Sequence, residues 1–289
     1  MPFRLGSLKI TRVDDGPFRL DGGAMFSVVP RPLWEKKKPP DERNRIPMTT
    51  NCLLVERGSD LLLVDAGIGD KNDAKFRDLY GMEEGATRLP AAIRAAGYDV
   101  GEVTHVLPTH LHFDHCGWCT RYEGERLVPT FPRARYFLER GEVEHGRRPN
   151  PRDRSSYDPR NWESLFAAEV VELFDESCSP LAGVEAVKVR GHNADMCIVL
   201  LGGAAEPGAE RAVFWADLVP TTAHVAYPWI MSYDLYPLET MENKAEWIPR
   251  AAAGGWLCFF DHETDEPVGR LVEERPGRYR VEPVTETGG

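Results

Sequence analysis

Alternating strand-like and helix-like segments predict a layered α/β domain for this chain of 289 residues. Two observations carry that reading. Short apolar runs of strand length recur along the chain, and several of them end at a histidine or an aspartate. In order, residues 7–14 and 50–65 read as strands. Residues 88–97 read as a helix that stops at Gly97, where the helical spacing ends. Val103 to Pro108 reads as a short buried strand closed by Pro108, which has no N–H to donate to a ladder. Residues 134–138 form another strand, and Val184 to Val189, Ala212 to Trp215 and Trp256 to Asp261 are three more. Residues 239–253 read as a helix interrupted near Pro249, and 269–283 as a closing hairpin with Pro276-Gly277 at its turn. No Ser/Gly linker or low-complexity tract divides the chain, so residues 1–289 are expected to form one domain, and a hydrophobic content of 42% suffices for its core.

The stretch Thr109-His110-Leu111-His112-Phe113-Asp114-His115 follows the strand at 103–108 directly. Three imidazoles and a carboxylate thus sit on a loop at the carboxyl end of a strand, where ligands collect in α/β folds. His110 and His112 can turn toward one centre, Asp114 and His115 toward a second, and such donors suit zinc and similar divalent ions. Other polar residues lie just past other apolar runs. His192 follows 184–189, with Gly191 allowing close backbone approach; Asp217 follows 212–215; His262 follows 256–261. Alone, each reads as a satisfied loop histidine or a turn or helix cap. At one sheet edge with the first motif they complete a seven-residue donor set.

With these motifs the sequence resembles the metallo-β-lactamase superfamily over nearly its whole length. Val64-Asp65-Ala66-Gly67-Ile68-Gly69 is similar to the family's first motif, His110 to His115 to its second, and His192, Asp217 and His262 to its later ones. The resemblance implies an αββα sandwich, two mixed β-sheets flanked by helices, built from two similar halves packed sheet to sheet. It implies that His110, His112 and His192 hold one metal, that Asp114, His115 and His262 hold the other, and that Asp217 bridges the two. Asp65 would support the ligand loop without touching metal. Two divalent ions are implied, zinc first, with manganese, iron or nickel as replacements.

Two such ions about 3.5–4 Å apart bring the pKa of a bridging water near neutrality. The expected function is therefore dinuclear-metal-dependent hydrolysis, a metal-bridging hydroxide cleaving an ester, lactone or similar bond in a small molecule. Asp114 and Asp217 are the expected catalytic carboxylates, Asp114 also passing a proton toward the leaving group. Residues 214–221 and 21–26 resemble the branch that contains lactonases and organophosphate hydrolases. Some lactonases carry a catalytic Tyr three residues after the bridging Asp; here that position is Pro220, which leaves Tyr227 or Tyr233 to replace it. The alternatives are a glyoxalase-II-like thioesterase or a phosphotriesterase and, in another class, a non-catalytic metal-bearing sensor. Residues 263–289, acidic on balance, count against the thioesterase, which would carry a basic glutathione-binding segment there.

A formal charge of −11 argues against nucleic acid, whose binders carry basic faces. No run of about 18 apolar residues and no apolar leader is visible, so no membrane contact and a cytoplasmic location are expected. Lys36-Lys37-Lys38 reads as a solvated loop. Cys116 and Cys119 form a C-x-x-C, with burial the reading for Cys116 and redox chemistry the alternative; Cys52, Cys197 and Cys258 read as core thiols. His105 reads as a core histidine and His145 as a surface one. His224 either points into the substrate pocket or caps the following turn. For the pocket, Met25 and Phe26, ahead of a long Pro-rich loop to Pro47, and His224 and Trp229 are the candidates, with a homodimer contact as the other use of these aromatic segments.

Overall fold

A computed structural model describes residues 2–203 and 210–284; the last five residues of the acidic segment 263–289 lie outside the described ones. The first half contributes β1 (Phe3–Leu5), β2 (Leu8–Asp21), β3 (Arg45–Arg57), β4 (Asp60–Val64), β5 (His105–Leu107), a small hairpin of β6 (Thr120–Glu123) and β7 (Arg126–Pro129), then β8 (Arg135–Glu139) and β9 (Val171–Phe174). The second half contributes β10 (Ser177–Leu181), β11 (Val184–Lys188), β12 (Cys197–Gly202), β13 (Arg211–Phe214), β14 (Leu257–Phe259), β15 (Val268–Arg275) and β16 (Arg278–Pro283). Among the described residues these form two seven-stranded sheets, ordered β1-β2-β3-β4-β5-β8-β9 and β10-β11-β12-β13-β14-β15-β16. Both are mixed: β4, β5, β8 and β9 run parallel, as do β13 and β14, and the other pairs in the two sheets are antiparallel.

The sandwich follows from strict alternation along the central strands. Leu53 and Val55 of β3, Leu62 and Val64 of β4, Leu107 of β5 and Phe137 of β8 join one buried cluster with Val199, Val213 and Phe259 of the second sheet. Their sequence neighbours Cys52, Leu54, Leu61, Leu63, Val106, Tyr136 and Leu138 face the other way, toward Leu89 and Ile93 of the helix Leu89–Ala95. A strand turns successive side chains to opposite faces, so residues apolar at both parities are covered on both. The predicted layered α/β class and the αββα sandwich are what the structure shows.

Three expectations about elements are corrected. The helix Pro237–Ala253 runs unbroken through Pro249. An interior proline costs about 3 kcal/mol, but Trp247, Ile248 and Ala251 on either side of it are buried against the second sheet. At roughly 1.5–3 kcal/mol for each large apolar side chain, that packing holds both turns in place. The segment toward Pro47 is not one long loop: Arg31–Trp34 is a helical turn, and Pro47 lies inside β3 opposite Arg19. The β3 residues paired with β4 begin only at Leu53, so Pro47 faces a free edge where no donor is needed. Lys38 is not solvated, being buried in an ion pair with Glu263.

β2 also extends seven residues past its expected end, through a register shift between Asp14 and Pro17. Gly16 sits there at φ 125°, a conformation that L side chains rarely adopt, and a Cβ would strike the Ala86 carbonyl oxygen at 2.1 Å. The bulge turns Asp15 inward. Its buried carboxylate accepts from Ile68 N, Gly69 N, Arg88 N, Leu89 N and Trp118 Nε1 at 2.7–3.2 Å. One residue thus ties the turn after β4 to the helix Leu89–Ala95 and to the segment after the ligand loop. Replacing Asp15 by Ala leaves several donors buried and unpaired, at about 1–3 kcal/mol each where water cannot enter. Urea unfolding of Asp15→Ala is expected to show a loss of at least about 3 kcal/mol; a midpoint within error of the unaltered protein would refute the role of this residue.

Candidate metal centre

Each side chain of the centre stands on a segment that leaves the carboxyl end of a strand. His110, His112, Asp114 and His115 follow β5; His192 follows β11; Asp217 follows β13 on the turn Ala216–Leu218; Asp261 and His262 follow β14. Asp65 ends β4 at φ 57°, a left-handed conformation that Asp tolerates better than most residues. The turn after it is laced to the ligand loop by Ala66 N to His115 O at 2.7 Å, Gly117 N to Gly67 O at 2.6 Å and Trp118 N to Ala66 O at 2.7 Å. That contact needs glycine at 117, where a Cβ would come within 2.0 Å of the Ile68 carbonyl.

The ligand-type atoms fall into two groups. His110, His112, His192 and Asp217 form one; His115, Asp217, Asp261 and His262 form the other, and all of these residues are buried. Asp217 belongs to both. Its Oδ2 lies 3.0 Å from His192 Nε2, 3.7 Å from His110 Nε2 and 3.6 Å from His115 Nε2, and its Oδ1 lies 3.2 Å from His262 Nε2. Six of the seven expected ligands are therefore brought together. Asp114 stands beside the second group, 3.8 Å from His115 Nε2 and 3.7 Å from His262 Nε2.

The other ring nitrogens show which atoms face inward. His262 Nδ1 donates to Thr49 O at 2.9 Å, His115 Nδ1 to Asp65 Oδ2 at 2.8 Å, and His192 Nδ1 pairs with Asp234 Oδ1 at 3.0 Å. His110 Nδ1 lies 3.2 Å from Thr109 Oγ1. Each Nε2 is thereby left for the centre, the tautomer being fixed by the partner on the far side of the ring. His112 is turned the other way, with its Nδ1 3.0 Å from His192 Nε2. Asp65 also accepts from Thr109 N at 2.6 Å, so one carboxylate holds both the start and the end of the ligand loop.

The donor set fits divalent cations. His110 Nε2, His115 Nε2, Asp217 Oδ1 and both Asp261 oxygens are buried without a hydrogen-bond partner, a costly state for polar atoms. Donors bonded at about 2.1 Å to a four-coordinate ion stand roughly 3–3.5 Å apart, close to the 3.0–3.7 Å separations around Asp217. Burial opposes charge on His262, yet Asp261 and Asp217 outweigh it and carry its pKa up to about 10. Burial opposes charge on His115 too, and Asp65, Asp114 and Asp217 hold it well above its ordinary value. Burial would raise Asp217, but His192, His115 and His262 keep it well below the carboxylate range.

A cavity of about 270 Å³ opens onto the centre. Met25, Phe113, Met231 and Leu235 make it apolar on one side, and Arg152, Ser155 and Ser156 make it polar on another. His112, Asp114, His192, Asp217 and His262 form its floor. Of the four residues expected to line it, Met25 does so. Met25 borders the cavity while itself buried; Phe26 and His224 lie behind it outside the lining, their rings stacked 4.8 Å apart, with Trp229 edge-on to Phe26 at 5.6 Å. Met25 and Phe26 are successive residues of one helical turn, about 100° apart, so only one of them can face the cavity. His224 Nδ1 pairs with Thr221 Oγ1 and its Nε2 donates to Met25 O, so it braces the wall; burial takes its pKa down to about 3. Tyr233 lines the cavity, whereas Tyr227 packs near Tyr279, outside it.

Sequence reasoning did not single out Asp261, Asp234, Glu142 or Arg152. Glu142 accepts from Leu111 N, Tyr157 Oη and Asn193 Nδ2, joining the loops that carry His112 and His192, and burial takes its pKa up to about 7. Asp261 had a visible signal in its place beside His262; the others are scattered in the chain and have none. His105 is bonded to Thr104 and stacked on Phe137, and His145, half-buried, pairs with Asp153 at 2.7 Å. Cys116 and Cys119 are fully buried, and burial pushes both thiols up, away from the thiolate form that redox chemistry uses.

Residues 45–173 match the sequence model of the metallo-β-lactamase superfamily. Among solved structures the chain is similar to a probable metal-dependent hydrolase from Staphylococcus aureus, at 28% identity and TM-score 0.88, over 99% of this chain and all of that one. It is also similar to AidC, a dizinc quorum-quenching lactonase solved with a product, at 18% identity and TM-score 0.81, over 100% and 98% of the two chains. The hydrolase AbOPH of the β-lactamase superfamily follows at 19% identity and TM-score 0.80, over 99% and 98%. Among the described residues, no helix is long and apolar enough to cross a membrane.

A cation entering this centre must displace the proton on His262. Because its folded pKa of about 10 lies above the ordinary 6.5, that proton stabilises the metal-free fold fully below pH 6.5, and the contribution is lost as pH rises through about 10. Metal binding at about pH 8 is thus expected to release protons, and the release should shrink as pH approaches 10. Calorimetric titration in two buffers of different ionisation enthalpy measures it; an equal heat in both at about pH 8 would contradict the assignment.

Proposed function

We propose that this metallo-β-lactamase superfamily chain is a dinuclear-metal-dependent hydrolase that cleaves an ester, lactone or similar bond in a small molecule. The observation that carries the proposal is Asp217, one carboxylate shared by two buried donor groups at the floor of a cavity. The ligands are His110, His112, Asp114, His115, His192, Asp217 and His262, with zinc the first choice for the histidine-rich group. When bound, two divalent ions supply Lewis acidity and lower the pKa of water near neutrality.

The protein's own groups do the rest. Asp217 sets the spacing of the two groups, and Asp65 holds the ligand loop through Thr109 and His115. Asp114, the cavity-facing carboxylate beside the second group, is positioned to pass a proton to the leaving group. Tyr233, the tyrosine of the pair that lines the cavity, offers its hydroxyl to the oxygen of the scissile group. The apolar wall takes an acyl or alkyl portion of the substrate, while Arg152, Ser155 and Ser156 anchor a polar portion. The lactonase named among the similar structures supports the ester or lactone assignment over the other bond types of this superfamily.

Asp217→Ala is expected to lower metal content below two per chain and to reduce hydrolysis by at least about a thousand-fold, on the scale of losing a metal-generated nucleophile. The measurements are elemental analysis and a panel of lactone, aryl ester, phosphotriester and glutathione thioester substrates. Full activity in Asp217→Ala would overturn the dinuclear reading. Turnover confined to the phosphotriester or the thioester would move the assignment to that bond type. A metal-replete protein inert on the whole panel would favour the metal-bearing sensor.

A further inference from the structure

We propose that Asp261 is an eighth ligand, making the position between His115, His262 and Asp217 an oxygen-rich site that accepts an oxygen-preferring divalent cation such as Mn²⁺. This rests on the metal-centre reading above and adds a donor to it. Asp261 is 1% exposed, and neither carboxylate oxygen has a hydrogen-bond partner. Its Oδ2 lies 3.4 Å from His262 Nε2, nearer than the 3.7 Å of Asp114 Oδ2, and 3.9 Å from His115 Nε2. Both imidazoles have already committed their Nδ1 hydrogens, to Thr49 O and to Asp65. Oxygens of Asp217, Asp261 and Asp114 all converge on His262 Nε2, at 3.2, 3.4 and 3.7 Å. One proton on that nitrogen can make a good hydrogen bond to only one of them. A divalent ion placed among them satisfies all three.

The backbone is built to present Asp261 in this way. In a strand, residues 261 and 262 would point to opposite faces. β14 ends at Phe259, and the loop after it is pinned from several sides. Asn51 N donates to Asp261 O at 2.7 Å, and Asn51 Nδ2 bonds Phe260 O and Glu263 O at 2.9 and 2.8 Å. His262 N donates to Pro220 O at 3.0 Å, and Glu263 is held by the buried Lys38 and by Thr222. Asp261 and His262 consequently enter the same centre, Asp261 from the protein side and Asp114 from the cavity side. Three carboxylates and two imidazoles differ from the histidine-rich group in the direction that suits harder ions, for which carboxylate oxygen is the preferred donor.

The test uses the whole chain stripped of metal and given one equivalent of Zn²⁺, then titrated with Mn²⁺ while free Mn²⁺ is followed by electron paramagnetic resonance. The unaltered protein is expected to take up one Mn²⁺ per chain. Asp261→Asn, which keeps the shape and removes the charge, is expected to bind it at least ten-fold more weakly while retaining its Zn²⁺. Equal Mn²⁺ affinity in Asp261→Asn overturns the proposal, as does an unaltered protein that takes a second Zn²⁺ but no Mn²⁺. A protein that takes no second ion of either kind overturns the two-metal reading as well, so the two failures are distinct. Should Asp261→Asn not fold, as judged by its melting curve, the smaller Asp261→Ser is read against the same criteria.

Discussion

The constraint on which the structure depends is an excess of buried negative charge. Asp65, Asp114, Asp217 and Asp261 are all buried around one centre, and the ion pairs they make are with histidines. Carboxylates out of water need compensation, since an unpaired buried charge costs several kcal/mol. Imidazoles compensate only when protonated, and His110 and His112 are pushed toward the neutral form by burial and by their neighbours. His115, His192 and His262 are held toward the protonated form and burial takes Asp261 up to about 7, so protons offset part of that charge. The same donors, two buried groups of imidazole and carboxylate atoms that share Asp217, suit divalent cations, which distinguishes the cluster from an ordinary polar core.

Holding that charge together against its own repulsion explains the bracing around it. Each ligand loop is tied by a buried polar residue from a different element. Asp15 fastens the turn after β4, Glu142 links the loops bearing His112 and His192, Asn51 and the Lys38–Glu263 pair fix the loop of His262, and Asp234 orients His192. Lys244, buried in the helix Pro237–Ala253, donates to the carbonyls of Ala226, Tyr227 and Trp229 and so fixes the segment that leads into the cavity-lining Met231, Ser232 and Tyr233. Bracing of this kind positions the donor atoms through the scaffold, because the loops are held by hydrogen bonds from other elements.

The layered class, the strands and the clustering of six donors were legible because each rests on local pattern: apolar alternation for the strands, and a polar residue just past a strand end for the donors. What escaped was set by long-range packing. Asp261 looked like the end of a strand, and only the loop clamp at Asn51 turns it inward. Lys38 looked like part of a solvated basic run, and only Glu263, 225 residues away, makes it a core residue. The unbroken helix across Pro249 is another case, in which local propensity yields to burial of Trp247 and Ile248.

The same distinction explains the pocket. Composition marked residues 25–26 and 224–229 as aromatic, but whether a residue faces a cavity depends on its angular position on a turn, and Met25 and Phe26 differ by about 100°. Phe26, His224, Trp229 and Trp34 stack into a rigid block behind Met25. The apolar lining is then Met25, itself buried, together with Phe113, Met231 and Leu235, with a stiff aromatic layer behind Met25. Arg152, which donates to Ser232 O, and two serines contribute the polar groups of the cavity. A thioether adapts to chains of different shape, while a guanidinium and hydroxyls demand a polar group at a fixed place. The lining thus pairs an adaptable apolar surface with polar groups of defined geometry beside the buried donor atoms.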